Sequence, residues 1–141
     1  MKLLRKHVLH MSDIPRDLDS VTDINSKAEV DPQDVGLKSA DVDSIWKNIV
    51  SIYKTGVHPA ITVSIRHRGK VLMSRAIGHV RGNGPNDGPD TEKVLATTDT
   101  PMCLFSTSKG ITALLMHMLQ EDGLINVSDP VSFYAPEFAR N

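Results

Sequence analysis

The sequence predicts an α+β fold in which an antiparallel sheet is flanked by helices. Residues 39–55 carry apolar side chains at helical spacing. Residues 60–66 and 71–77 alternate on either side of a short turn, as a half-buried β-hairpin does. Residues 106–122 return to the helical spacing and stop at a glycine.

The chain has 141 residues, 40% hydrophobic and 23% charged, a composition that suits one soluble domain. The net charge is −1 and no basic stripe alternates with aromatics, which argues against nucleic-acid binding. A single cysteine, Cys103, excludes an internal disulfide and a cysteine-based zinc cluster. No apolar run approaches the length of a membrane span. The segment Met1–His7 is basic, but Val8 and Leu9 are followed at once by His10, Ser12 and Asp13. No secretory signal is read there, and a cytoplasmic location is expected.

Residues 1–36 are polar, interrupted by Pro15, Pro32 and Gly36, and without a clear apolar period; they read as an extended or partly ordered leader. Residues 37–141 form the second segment. Its first helix is expected from Ser39 as N-cap, with Asp41 and Asp43 in the positive first turn and Gly56 as the stop. Val42, Ile45, Trp46, Ile49, Ile52 and Tyr53 mark its buried face, opposite Ser44, Lys47, Asn48, Ser51 and Lys54. In the first strand Ile61, Val63 and Ile65 alternate with Thr62, Ser64 and Arg66. His67 to Lys70 form a tight turn around Gly69, and Val71–Ile77 return antiparallel.

Residues 81–90 read as a surface loop. Gly82-Asn83-Gly84 begins like a phosphate cradle, but Asp87 stands where that fingerprint needs its third glycine. Thr100 to Phe105 are expected to be extended and to lead into a helix from about Ser106 to Asp122, with Ile111, Leu114, Leu115, Met118 and Leu119 as its apolar stripe. Asp129-Pro130 reads as an N-cap followed by proline at the first helical position. His7, His10, His58, His67, His79 and His117 form no metal-ligand pattern. Cys103, three residues before Ser106, reads as an apolar filler at the strand end, although a nucleophilic role is chemically conceivable.

Three Ser-x-x-Lys matches occur: Ser44–Lys47, Ser51–Lys54 and Ser106–Lys109. Helix phase places the first two on the solvated face of the first helix. The third falls at a helix start, where serine and lysine share a face and backbone N–H groups are unpaired. There Ser106 has the features of a nucleophile and Lys109 of its base. A free lysine titrates near 10.4 and must fall by about two to three units to act as a base at neutral pH. Burial under Leu104 and Phe105, with the positive helix end, is the expected cause. From spacing alone a second reading stands beside this one: Ser106 as a helix cap and Lys109 as a solvated residue.

The segment from Leu104 to Ala113, followed by Glu121-Asp122-Gly123-Leu124 and Val127-Ser128-Asp129-Pro130-Val131, resembles the β-lactamase-related serine hydrolases, which include class C β-lactamases, penicillin-binding proteins and esterases. The helix and hairpin from Ser39 to Gly78 resemble that family's opening elements, so the likeness runs from about residue 36 onward. It implies the N-terminal part of a β-lactamase/transpeptidase-like fold, incomplete in itself. It also implies acyl transfer from a small-molecule ester, lactam or peptide-like substrate, with Ser106 and Lys109 as catalytic residues. The Ser106 N–H would form half of an oxyanion hole, and no metal or organic cofactor is implied. The family's downstream Tyr-x-Asn or Ser-x-Asn element and its Lys-Thr-Gly or His-x-Gly-like strand are not found here; Tyr134-Ala135-Pro136 has proline where the first of these needs asparagine. The expectation is therefore a truncated form with little activity alone, or a binding remnant of the same fold. Its hairpin would be marginal, with an open edge.

Overall fold

A computed structural model describes residues 11–88 and 90–139. The readings made at Met1–His7, His7 and His10 lie outside the described residues, as does Pro89 of the glycine-rich loop. The chain divides after Pro101 into two compact units.

The first unit is built on an antiparallel sheet. Strand β1 (Thr22–Ile24) is followed by helix α1 (Ser39–Lys54), then β2 (Ala60–His67), β3 (Lys70–Arg81) and β4 (Val94–Leu95). β3 is the central strand, with β2 along one edge and β1 and β4 pairing with it as well. The expected hairpin is β2–β3. Its turn residues Arg68 and Gly69 both have left-handed backbone (φ 50° and 77°), as a two-residue hairpin loop with the right twist requires. β3 runs four residues beyond the expected end at Ile77.

The hairpin is not left as a lone pair. Thr22 pairs with Ile77 and Ile24 with Arg75. Asn25 N–H donates to Ser74 O (3.0 Å) and Val30 N–H to Val71 O (2.9 Å), extending the contact beyond β1. Within the segment 1–36, read as an extended or partly ordered leader, the described residues thus include a strand paired with the sheet. A three-residue strand is too short to show an alternating pattern, so its pairing is not visible locally. Farther on, Asp31 accepts a hydrogen bond from Gln33 N–H (2.9 Å), Pro32 begins a 3₁₀ turn, and Gly36 closes it at φ 77°.

A bulge between Ile65 and Arg66 leaves Leu72 without a partner in the β2–β3 register. A strand normally alternates between faces, and the extra residue resets the alternation. Leu72 and Met73 are accordingly both buried, as are Ala76 and Ile77.

The core groups Val21, Tyr53 and Ile77, with Ile14, Leu18, Trp46, Val50 and Ile61 packed around them. α1 contributes Val42, Trp46, Val50 and Tyr53, while Ile45 and Ile52 are exposed. The apolar face is therefore rotated from the expected stripe toward Val50. Lys38, not Ser39, holds the N-cap position, and its side chain makes no capping bond. Tyr53 lies against Gly78, where an added Cβ would run into Pro59 O and come within 2.7 Å of the tyrosine ring. Glu29 binds Arg75 through two 2.8 Å bonds and accepts from Ser74 N–H at 2.8 Å. The Arg75 guanidinium in turn lies 5.4 Å from the centre of the Trp46 ring. In the glycine-rich loop Asp87 accepts from Gly84 N–H at 2.6 Å, a local turn contact.

The second unit begins with a 3₁₀ turn, Phe105–Thr107, that continues into α2 (Ser108–Glu121). Gly123 (φ 70°) ends α2, and Leu124 N–H donates back to Leu119 O at 2.9 Å. A short helix, α3 (Val131–Tyr134), and a 3₁₀ turn, Pro136–Ala139, follow. Pro130, not Asp129, occupies the N-cap position of α3. The Asp129 carboxylate instead accepts from Tyr134 O–H at 2.6 Å. No helix among the described residues is long and apolar enough to cross a membrane.

Candidate active site

The structure treats the three Ser-x-x-Lys pairs differently. Ser51 lies inside α1, and its hydroxyl donates to Lys47 O at 2.9 Å. A serine in a helix interior bonds back to the preceding turn in this way. Ser44, Lys47, Ser51 and Lys54 are all exposed on the polar face of α1, as expected. Ser106 sits instead in the 3₁₀ turn before α2, and Lys109 is the second residue of α2. Lys109 Nζ donates to Ser106 Oγ at 3.0 Å.

That contact separates the two sequence-based readings of Ser106. Neither the 3₁₀ turn nor α2 has a side-chain cap. The serine oxygen is thus not engaged with the helix end. The first hydrogen bond of the turn runs from Thr107 N–H to Leu104 O (3.0 Å), so Ser106 N–H precedes the bonded series. It belongs with the orphan donors of a helix start. Chemically, a protonated ammonium on the Lys109–Ser106 line supports negative charge on Oγ. A neutral amine on the same line would receive the serine proton.

The expected burial of this pair by its neighbours is not found. Leu104 is 50% exposed and Phe105 83% exposed. Cys103 is also exposed, which corrects its reading as an apolar filler. The α2 stripe is exposed too, with Ile111, Leu114, Leu115 and Met118 each more than half accessible.

Two features carried little sequence signal. Phe105 has a left-handed backbone, φ 44°. Glycine or asparagine signals that conformation, whereas phenylalanine reads as strand or core. Tyr134 forms the second. Its hydroxyl donates to Asp129 and accepts from Asn126 N–H at 2.8 Å, gathering the Asp-Pro-Val turn around one side chain. The hydrogen bond to Asp129 raises the Tyr134 pKa, so the phenol holds its proton and acts as a donor. Among the described residues no three His, Cys, Asp or Glu side chains group as a metal site.

An antiparallel sheet with a flanking helix in the first unit, and in the second a serine at a helix start bonded to a lysine one turn on, are features of a β-lactamase-type chain. The sequence model of the Beta-lactamase family matches residues 45–141, and the chain belongs to that family. It is also similar to teichoic acid D-alanine hydrolase of Staphylococcus aureus. The identity is 37% over 78 residues for the strain COL protein and 36% for the strain MRSA252 protein. In both, the matched stretch covers 55% of this chain and 17% of the relative, so the chain spans under a fifth of the curated proteins it matches. No solved structure matches it significantly.

Proposed function

We propose that this chain carries the nucleophile and base of a serine hydrolase. Ser106 attacks a lactam, ester or amide carbonyl, and Lys109 takes and returns the proton. The Ser106–carbonyl bond forms as the leaving group departs, and water or another acceptor releases the acyl-enzyme. The Ser106 N–H is one donor to the developing oxyanion. The 3.0 Å contact from Lys109 Nζ to a serine oxygen free of any capping role carries this reading. Membership in the Beta-lactamase family supports the hydrolase class. The relatives are named teichoic acid D-alanine hydrolase, which supports a substrate that bears D-alanine.

The proposal includes low turnover by the 141 residues alone, because neither Tyr-x-Asn nor Lys-Thr-Gly-like elements occur among them. A binding remnant of the same fold is the second reading, favoured by the exposure of Leu104 and Phe105 around the pair. A fluorophosphonate probe, with a fluorescent penicillin in parallel, separates the two. Labelling located at Ser106 and lost in Ser106→Ala and Lys109→Ala is expected of the hydrolase. An unlabelled chain fits the remnant.

A further inference from the structure

The β2–β3 hairpin ends in Arg66-His67-Arg68-Gly69-Lys70, three permanent cations and a histidine in a chain whose net charge is −1. Arg66, Arg68 and Lys70 are exposed, and His67 is half-buried. His67 pairs with Lys70 and Arg66 with Val71, so the register gathers these residues at one tip. None of the four side chains takes part in a hydrogen bond or ion pair among the described residues. Glu29 and Asp31 flank Val30, whose N–H donates to Val71 O at 2.9 Å, but both acids are engaged elsewhere. Glu29 binds Arg75, and Asp31 accepts from Gln33 N–H. The turn adds a second observation. Its central residues, Arg68 and Gly69, lie at φ 50° and 77°. Such a turn favours Asn-Gly or Asp-Gly, and asparagine would hold the first position at lower cost than arginine. Backbone strain of this kind clusters where a side chain is used. Charge on an edge strand also guards against pairing with another chain, which accounts for Arg66 on β2 but not for Arg68 in the turn.

We infer that the tip of the β2–β3 hairpin is a binding surface for a linear phosphate-bearing polyanion, engaged by Arg66, Arg68 and Lys70. Two of the three are arginines, whose planar fork meets phosphate oxygens in pairs. A single anion at an exposed cation gains little in water. A chain of charges engages all three side chains at once and releases its counterions. The tip lacks what other anionic partners use. Among the described residues no large apolar side chain is exposed between Val57 and Leu95, so nothing there inserts into a lipid surface. No aromatic residue stands in the stretch 66–70 to stack on a nucleic-acid base. This surface is independent of the chemistry of Ser106 and Lys109.

Titration calorimetry of the 141-residue protein with inorganic polyphosphate tests the inference. Three neutralised phosphates predict an affinity that falls by about twentyfold between 50 and 200 mM salt. Orthophosphate is expected not to bind. Arg68→Asn removes one cation while suiting the turn. It is expected to weaken binding about threefold, as one exposed charge contact does, and to hold or raise the unfolding midpoint. The triple variant Arg66→Gln, Arg68→Asn, Lys70→Gln is expected to lose binding and its salt dependence. Lys47→Gln with Lys54→Gln, on the exposed face of α1, removes two cations elsewhere and is expected to change neither. If the triple variant is unfolded by circular dichroism, Arg68→Asn decides alone, and unchanged affinity in it overturns the inference. A parent that does not bind polyphosphate at 50 mM salt overturns it as well, as does a folded triple variant with the parent's affinity. So does an α1 control that loses as much as the triple variant. Equal affinity for orthophosphate, for polyglutamate of the same length or for phosphatidylglycerol vesicles removes the preference for a phosphate chain, and the inference falls.

Discussion

At the scale of single residues, identical spacing gave different chemistry because the position in the helix differed. Ser51 is one turn from Lys54, as Ser106 is from Lys109, yet its hydroxyl is committed to the Lys47 carbonyl. Ser106 precedes the regular helix, and its oxygen receives the lysine instead. Tyr53 poses a separate single-residue question. It is fully buried, its hydroxyl has no partner among the described residues, and burial raises its pKa. The ring is therefore the stabilising part and the hydroxyl a cost. Tyr53→Phe is expected to leave the unfolding midpoint unchanged or raise it, whereas Tyr53→Ala should lose about 3–5 kcal/mol. Urea unfolding followed by Trp46 fluorescence checks both, since Trp46 packs beside the same core and is the sole tryptophan.

At the scale of elements, the Asp-Pro-Val turn is organised by α3 rather than by its own cap. Tyr134 bonds Asp129 and Asn126, and Gln120 from the end of α2 accepts from Val127 N–H at 3.1 Å. The turn is thus tied to the helices on both sides of it. Tyr134→Phe removes both tyrosine contacts while keeping the ring, which lies edge-on to Phe133 at 5.1 Å. The expected outcome is faster hydrogen exchange at the Asn126 amide with little change at the amides of α2, measured residue by residue. Equal exchange in parent and variant would show that the phenol plays no part in holding the turn.

At the scale of the whole molecule, acid is expected to weaken the sheet unit in two stages. Burial, and then the charge of Lys93, lowers the His79 pKa from its ordinary value of 6.5. Burial pushes the Glu29 carboxyl up, but the Arg75 and Ser74 hydrogen bonds and the Arg75 charge outweigh it and hold the group below its ordinary 4.5. Both folded-state values are lowered. Each contribution is therefore fully present above the ordinary value and is lost as the pH falls through the folded-state value. Stability followed by Trp46 fluorescence should decline first below pH 6.5 and again below pH 4.5. His79→Gln should flatten the upper stage and Glu29→Gln the lower. A curve unchanged by either substitution would assign acid sensitivity to other groups.

The sequence by itself determined α1, the β2–β3 hairpin, α2 and its glycine stop, because periodicity and turn chemistry act over a few residues. The Ser-x-x-Lys helix followed by Asp-Pro-Val likewise carried the family likeness without any long-range information. Helix phase was enough to separate Ser106–Lys109 from its two counterparts on α1. The tertiary structure decided the rest. It brought the short strand β1 to β3, inserted the bulge at Leu72, and rotated α1 so that Val50 replaced Ile45 and Ile52. These outcomes depend on partners distant in sequence, and a three-residue strand or a one-residue bulge leaves no local period to read. The structure also set Phe105 in a left-handed conformation and left Leu104 and Phe105 exposed. Local propensity pointed the other way in both cases, since phenylalanine disfavours positive φ and an apolar pair predicts burial.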